Sequence, residues 1–320
     1  MDGVTVHVSA LTRAFVLQVG DRLVTQGPPG SARPWDPYAN KTIVVLARNG
    51  TLVVSYAGLA HMQSKPTDQW LAEAITGRSF VPGPTGNLTM GFDTTFHITV
   101  RDVTRSLIVA VERDLPQEAA SRRIQGLHIL ITGWVWKRRA QFDISQPRPV
   151  ALIMRHSGKP GTSIQQEALP RFWRWDKTSM LAVIGAGLAD HKAHLLKELS
   201  RDNVHFTDKD YERLVVAAIR NRALDSTGDV VGKDCMTVSI GRSQALRIRF
   251  SRYANSDSQH TAYTPFVLGR GFLFPPLLLT GQGFSLRAGE LSIPIESDPP
   301  LTEQGRFITQ GQPRRPYPGQ

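Results

Sequence analysis

Asn40-Lys41-Thr42-Ile43-Val44-Val45-Leu46-Ala47-Arg48-Asn49-Gly50-Thr51-Leu52-Val53-Val54-Ser55-Tyr56-Ala57-Gly58 is the stretch on which the fold turns. Thr42 to Ala47 and Thr51 to Tyr56 are runs rich in β-branched residues, placed either side of Arg48-Asn49-Gly50. Asn-Gly between two such runs is a strong short-range signal for a hairpin. Working outward, Val4 to Leu11 sets Val4, Val6 and Val8 against Thr5, His7 and Ser9. That period of two predicts a half-buried strand. Ala14 to Val19 predicts a second strand, and the Gly/Pro-rich segment from Gln26 to Gly30, continuing to Asp36-Pro37, predicts a loop.

Downstream, Pro66-Thr67-Asp68-Gln69 starts a helix, with Thr67 expected as its cap. Phe96, Val100, Val103, Leu107 and Val111 recur three or four apart and predict a helix over 94–114. Strands are expected at 127–137, 142–145, 150–156, 180–184, 235–240 and 245–251. Helices are expected at 190–200 and 208–222, the second capped by Thr207. Runs of strands alternating with helix pairs do not suit a doubly wound parallel sheet. They suit two antiparallel sheets packed together with helices outside. The expected fold is therefore α+β, a four-layer αββα sandwich of two antiparallel sheets. Composition shifts to Pro, Gly, Ser and aromatics after Asn255. The division expected is a core over 1–254, an extension packed on it over 255–309, and a disordered Pro/Gly/Arg-rich tail over 310–320.

The chain has 320 residues, 41% of them hydrophobic, enough to bury a sizeable core. Its 38 Lys+Arg against 27 Asp+Glu give a net charge of +11, which attracts polyanions. The excess is diffuse, with Lys137-Arg138-Arg139 its densest cluster, so a nucleic-acid partner is not expected. Cys235 is the single cysteine, which excludes an internal disulfide framework, and its apolar surroundings predict a buried core thiol. The N-terminus has no basic stretch leading into an apolar core, and the run from Phe272 to Leu279 is short and broken by proline. Cytoplasmic location without a membrane contact is the expectation.

Several motifs read more simply than their patterns suggest. Gly185-Ala186-Gly187 follows a strand, as a dinucleotide loop would. The third small residue of that fingerprint would be Asp190, whose charge would oppose a pyrophosphate. His191 and His194 share a helix face but lack further ligand spacing, so a solvated face is expected rather than a metal site. Arg171-Phe172-Trp173-Arg174-Trp175 interleaves aromatics with arginine, and is read as aromatics packed on the core. No cofactor is called for.

The segment Asn40-Lys41-Thr42-Ile43-Val44-Val45, followed by Asn49-Gly50 and by Ser55-Tyr56-Ala57-Gly58-Leu59-Ala60, resembles the lysine strand and glycine turn of proteasome β-type subunits. Those are N-terminal-nucleophile hydrolases. Gly20-Asp21-Arg22-Leu23-Val24-Thr25 resembles the end of the family's aspartate strand. In the family that aspartate lies sixteen residues after the catalytic threonine, and sixteen residues before Asp21 stands Thr5. The resemblance implies Thr5 as nucleophile, Lys41 and Asp21 as its supporting pair, and Gly58 in the oxyanion turn. Asp229, in Asp229-Val230-Val231-Gly232, matches the family's later aspartate. It also implies an amide or peptide substrate, not identifiable from sequence, and leaves room for a homo-oligomer.

The chemistry explains the residue types. A threonine hydroxyl needs a base, and a free α-amine on the same residue, titrating near about 7.7–8.0, can supply one. A buried lysine lowers the pKa of both groups and itself needs a carboxylate. Backbone N–H groups at a glycine turn stabilise the oxyanion. Two departures stand out: Ala186 and Gly232 occupy positions where the family carries serines, and Met1 to Val4 precede Thr5. The expected working chain starts at Thr5, by self-cleavage after Val4 or by a start at Val4. Three readings follow: a threonine-type amide hydrolase, a non-catalytic binding or assembly relative, and a basic nucleic-acid-binding protein.

Overall fold

The computed structural model describes residues 5–26, 33–36, 39–80, 91–92, 98–122, 126–136, 147–168, 179–185, 188–200, 207–225, 231–242, 247–253, 261–263, 265–269, 272–274, 278–280 and 283–287. Two large sheets carry the architecture. The principal elements are β1 (Val6–Leu11), β2 (Phe15–Asp21), β3 (Thr42–Ala47), β4 (Gly50–Ala57), α1 (Thr67–Thr76), α2 (Val100–Arg122), β5 (Leu127–Val135), β6 (Arg148–His156) and β7 (Gln165–Ala168). Then follow β8 (Met180–Gly185), α3 (Ala189–Leu199), α4 (Asp208–Asp225), β9 (Cys235–Gly241), β10 (Arg247–Tyr253), β11 (Phe266–Gly269), β12 (Phe272–Phe274) and β13 (Gly283–Arg287).

The first sheet has the order β8-β1-β2-β9-β10-β13, antiparallel throughout. The second runs β7-β6-β5-β4-β3-β11-β12 and ends on the short strand Gly91–Phe92. Its pairs are antiparallel except β11 beside β3. Helices α3 and α4 cover the outer face of the first sheet, where Leu195, Tyr211, Val215 and Ile219 pack on Val6, Val8 and Val19. Helices α1 and α2 cover the second, where Trp70, Leu71, Leu107 and Val111 pack on Ile43, Val45, Leu52 and Val54. Between the sheets lie Leu11, Val16, Val44, Val53, Trp134, Val238 and Phe250. The fold is an α+β four-layer αββα sandwich.

This layering corrects the half-buried reading of the first strand. Every residue of β1 is buried, because one face meets helices and the other meets the second sheet. The period of two therefore sorts residues between two interiors, not between core and solvent. Val6, Val8 and Ala10 meet the helices, whereas the Ser9 hydroxyl donates across the gap to Thr132 Oγ1 at 3.0 Å. At the same gap the Trp134 indole donates to the Ile240 carbonyl at 3.0 Å, which satisfies a large side chain with no exposed surface.

The Arg48-Asn49 hairpin forms as expected, with Ala47 opposite Gly50, but its two key residues serve another element. Asn49 Oδ1 accepts the Val100 N–H at 2.9 Å, at the start of α2. A Cβ at position 50 would lie 2.5 Å from Val100 Cγ2 and 2.7 Å from the Trp134 carbonyl oxygen, so the close approach demands glycine. Helix α2 begins later than expected, at Val100, because Thr99 caps it with Asp102. The Thr99 amide reaches Asp102 Oδ2 at 2.8 Å, and the Asp102 amide reaches Thr99 Oγ1 at 3.2 Å. It runs on through Pro116 to Arg122, beyond the expected end at Asp114. Thr67 does not cap α1. It is the first helical residue, and its hydroxyl instead donates to the Leu59 carbonyl at 2.7 Å. The expected strand at 142–145, the Lys137-Arg138-Arg139 cluster and the Arg171–Trp175 motif lie outside the described residues.

Thr207 does cap α4. Its amide and hydroxyl both reach Asp210 Oδ2, at 2.9 and 2.7 Å, and the Asp210 amide reaches back to Thr207 Oγ1 at 3.3 Å. Thr207→Ala is expected to lower unfolding free energy by about 1 kcal/mol in urea titrations, whereas Thr207→Ser should be nearly neutral.

Candidate active site

The site lies where the two sheets meet at one end, because its residues come from both. Thr5 directly precedes β1, Asp21 ends β2, Lys41 directly precedes β3 and Gly58 directly follows β4. Lys41 Nζ donates to Thr5 Oγ1 at 2.9 Å, to Asp21 Oδ2 at 3.1 Å and to the Leu23 carbonyl oxygen. An ammonium has three protons, and here each has an acceptor. The Lys41 and Asp21 side chains are 3% and 0% exposed, so little solvent screens the pair.

Asp21 is held from several directions. Its Oδ1 accepts the Val6 N–H at 2.8 Å, and its Oδ2 accepts those of Leu23 and Gly232, each at 3.2 Å. Burial pushes the Lys41 ammonium below the ordinary lysine value, while the charge of Asp21 opposes the shift. A cationic Lys41 donating to Thr5 Oγ1 favours the alkoxide over the hydroxyl, so the geometry can acidify Thr5.

Glycines close the site. Gly185, at φ +89°, lies beside the threonine: a Cβ there would stand 1.6 Å from the Thr5 carbonyl oxygen and 3.3 Å from Ala57 Cβ. Gly185 thus lies against both Thr5 and Ala57, the last residue of β4. Gly58 has φ +108°, and a Cβ there would meet the Gly126 carbonyl oxygen at 2.3 Å. Asp229 and Ala186 lie outside the described residues. Gly232 lies within them, and a Cβ at that position would stand 2.7 Å from Leu23 Cβ. A serine side chain therefore has no room at 232 in this arrangement.

Residues not singled out from sequence also converge here. His7, two residues along β1 from Thr5, is 1% exposed, and neither ring nitrogen makes a well-formed hydrogen bond. Its ring lies on Gly20, where a Cβ would come within 2.2 Å of it. The alternation of Thr5, His7 and Ser9 had placed these side chains on one face, but not between two sheets. Burial lowers the His7 pKa to about 3, with the Lys41 charge adding to the effect and the Tyr56 backbone opposing it. Cys235, fully buried on β9, has its thiol pushed above the usual range by burial, an inert core group as expected. His194 is exposed on α3, consistent with a solvated face. Among the described residues no helix is long and apolar enough to cross a membrane.

No protein-family model matches the chain, and no curated protein matches it. Among solved structures the chain is similar to the Anbu (Gly-1) mutant from Hyphomicrobium sp. strain MC1. The identity is 10%, the TM-score 0.45, and the match covers 79% of this chain and 89% of that one. It is also similar to Anbu, described as an ancestral beta-subunit, from Yersinia bercovieri. Here the identity is 12%, the TM-score 0.43, and coverage is 74% of this chain and 82% of that one.

The buried imidazole gives a pH prediction. His7 has a folded pKa near 3 against an ordinary value of 6.5, so between those values the unfolded chain binds the extra proton. Stability from this group is fully present above pH 6.5 and is lost as pH falls towards 3. Subtracting the stability–pH curve of His7→Gln from that of the wild type should leave a slope approaching about 1.4 kcal/mol per pH unit in that window. A flat difference curve would contradict it.

Proposed function

We propose that the protein is a threonine-type amide hydrolase whose nucleophile is the Thr5 hydroxyl in a chain beginning at Thr5. The observation carrying this reading is the buried Lys41 ammonium, which donates to Thr5 Oγ1 and Asp21 Oδ2 together. In this mechanism Thr5 Oγ attacks the carbonyl carbon of the substrate amide while its proton passes to the Thr5 α-amine. The oxyanion is stabilised by backbone N–H groups at the Ala57–Gly58 turn. The C–N bond breaks as the leaving amine takes the proton, and water then hydrolyses the ester to free Thr5.

Lys41 is not the base in this scheme. Its three protons are engaged, so it acts as a fixed positive charge that lowers the pKa of the hydroxyl and of the adjoining amine. The base must be the α-amine, because an amide nitrogen at Thr5 has its lone pair delocalised into the peptide bond. Removal of Met1 to Val4 is thus part of the proposal, and Asp229 is assigned to the amine's surroundings by the resemblance. A non-catalytic binding relative is the second reading. What favours it is the lack of room for a side chain at Gly232, where the family carries a serine.

The test compares a chain expressed from Met1 with one trimmed to a free Thr5, each treated with an electrophile selective for N-terminal threonine. Labelling of the trimmed form alone, abolished by Thr5→Ala, is expected. The rate should rise with pH through a midpoint below about 8, the ordinary α-amine value. Lys41→Met should slow it about a hundredfold or more and move that midpoint upward. If the native chain retains Met1 and neither form is labelled, the binding reading stands instead.

A further inference from the structure

The site is split between the sheets: Thr5 and Asp21 belong to the first, Lys41 and Gly58 to the second. Its geometry therefore depends on how the sheets sit relative to one another. Most of the gap between them is filled by Val, Leu, Ala and Ile side chains. Such contacts are non-directional and tolerate small slides. A hydrogen bond across the gap does not, because its strength falls steeply with angle and distance.

One polar chain crosses the gap beside the site. Gln18 Nε2 on β2 donates to Ser55 Oγ on β4, and Ser55 Oγ lies 2.9 Å from Thr42 Oγ1 on β3. Ser55 and Thr42 are also direct cross-strand partners. Each member sits close in sequence to a site residue: Gln18 three before Asp21, Thr42 next to Lys41, Ser55 three before Gly58. The chain thus ties together the three strands bearing the carboxylate, the ammonium and the glycine turn. All three side chains are buried, with Gln18 1% and Ser55 0% exposed. Buried polar groups of this kind add little net stability over well-packed apolar ones, and their better-attested use is to fix register.

We infer that the Gln18–Ser55–Thr42 chain positions Lys41 and Asp21 against Thr5, so that Gln18 and Ser55 are positioning residues for the site. The inference rests on the hydrolase reading for its effect on rate, but its effect on Lys41 does not require that reading. Gln18→Met with Ser55→Ala removes the cross-sheet bond without orphaning either of its own partners, but it leaves the buried Thr42 hydroxyl without Ser55, so a modest fall in melting temperature is expected. The sheets then lose their directional tie beside Lys41.

The experiment measures two quantities on the trimmed chain: the rate of Thr5 labelling against pH, and the Lys41 pKa from the titration of its side-chain NMR resonance. For the Gln18→Met/Ser55→Ala pair, labelling is expected to fall about tenfold or more, since small misplacements are costly in a preorganised site. The midpoint of labelling and the Lys41 pKa should both move, and each single variant should cost as much as the pair, because one broken link frees the chain. As a control, Ser9→Ala with Thr132→Val removes an equally buried cross-sheet bond that does not adjoin Lys41. It should leave both readouts as they are. A double variant with wild-type rate, midpoint and Lys41 pKa would overturn the inference. So would a control pair that shifts them equally, which would mean general loosening. If even the wild type is not labelled, the hydrolase reading fails, and the Lys41 titration alone then decides whether the chain positions it.

Discussion

A buried lysine ammonium must find acceptors or lose its proton, and the organisation of this protein at one end of its sandwich follows from that constraint. Lys41 leaves water almost completely and gains Thr5 Oγ1, Asp21 Oδ2 and the Leu23 carbonyl in return. Such a charge is tolerable only with a paired carboxylate and saturated donors. Asp21 supplies the carboxylate, and three backbone N–H groups hold it in place. The same arrangement that satisfies the lysine directs one of its protons at a threonine hydroxyl. Structural stability and the proposed chemistry thus draw on one set of contacts.

The packing around the pair has matching requirements. Gly185 and Gly232 bring the ends of β8 and the 231–232 segment close enough to touch Thr5 and Asp21, and at both positions a Cβ would collide. His7 fills the space above Gly20 as a neutral ring, for Lys41 and burial together disfavour its charged form. The polar side chains between the sheets, Ser9 with Thr132 and Gln18 with Ser55 and Thr42, punctuate an otherwise apolar interior with directional contacts. On the outer face of the first sheet Arg249 bridges Asp208 and Glu212, and Ser239 donates to Asp208, which binds α4 to its strands.

Much of the fold was legible because its elements are marked locally. Helix α1 occupies the residues expected from its start signal, although no side chain caps it, and α4 opens at the Thr207 box, which neighbours within one turn set. The hairpin at Arg48-Asn49 was legible too, although for a reason that sequence could not supply. Asn49 caps α2, and Gly50 makes room for Val100 and Trp134, both distant along the chain. The short strands Phe266–Gly269 and Gly283–Arg287 carried no clear pattern. They exist because an edge of each sheet offers unpaired backbone groups for them to join.

The sequence by itself determined the residue types of the candidate site and their spacing: Thr5, Asp21 sixteen residues on, Lys41 before a strand, and Gly58 after one. Those features are covalent or local, fixed by chain order and by the alternation of strand residues. Only the tertiary structure decided that both faces of β1 are buried and that His7 and Gln18 face the opposite sheet. It also decided that Lys41 is fully desolvated and that position 232 cannot carry a side chain. Each of these depends on the approach of two sheets whose strands are far apart in sequence. No local periodicity encodes the distance between layers, and that distance is what turns a strand lysine into a buried charge.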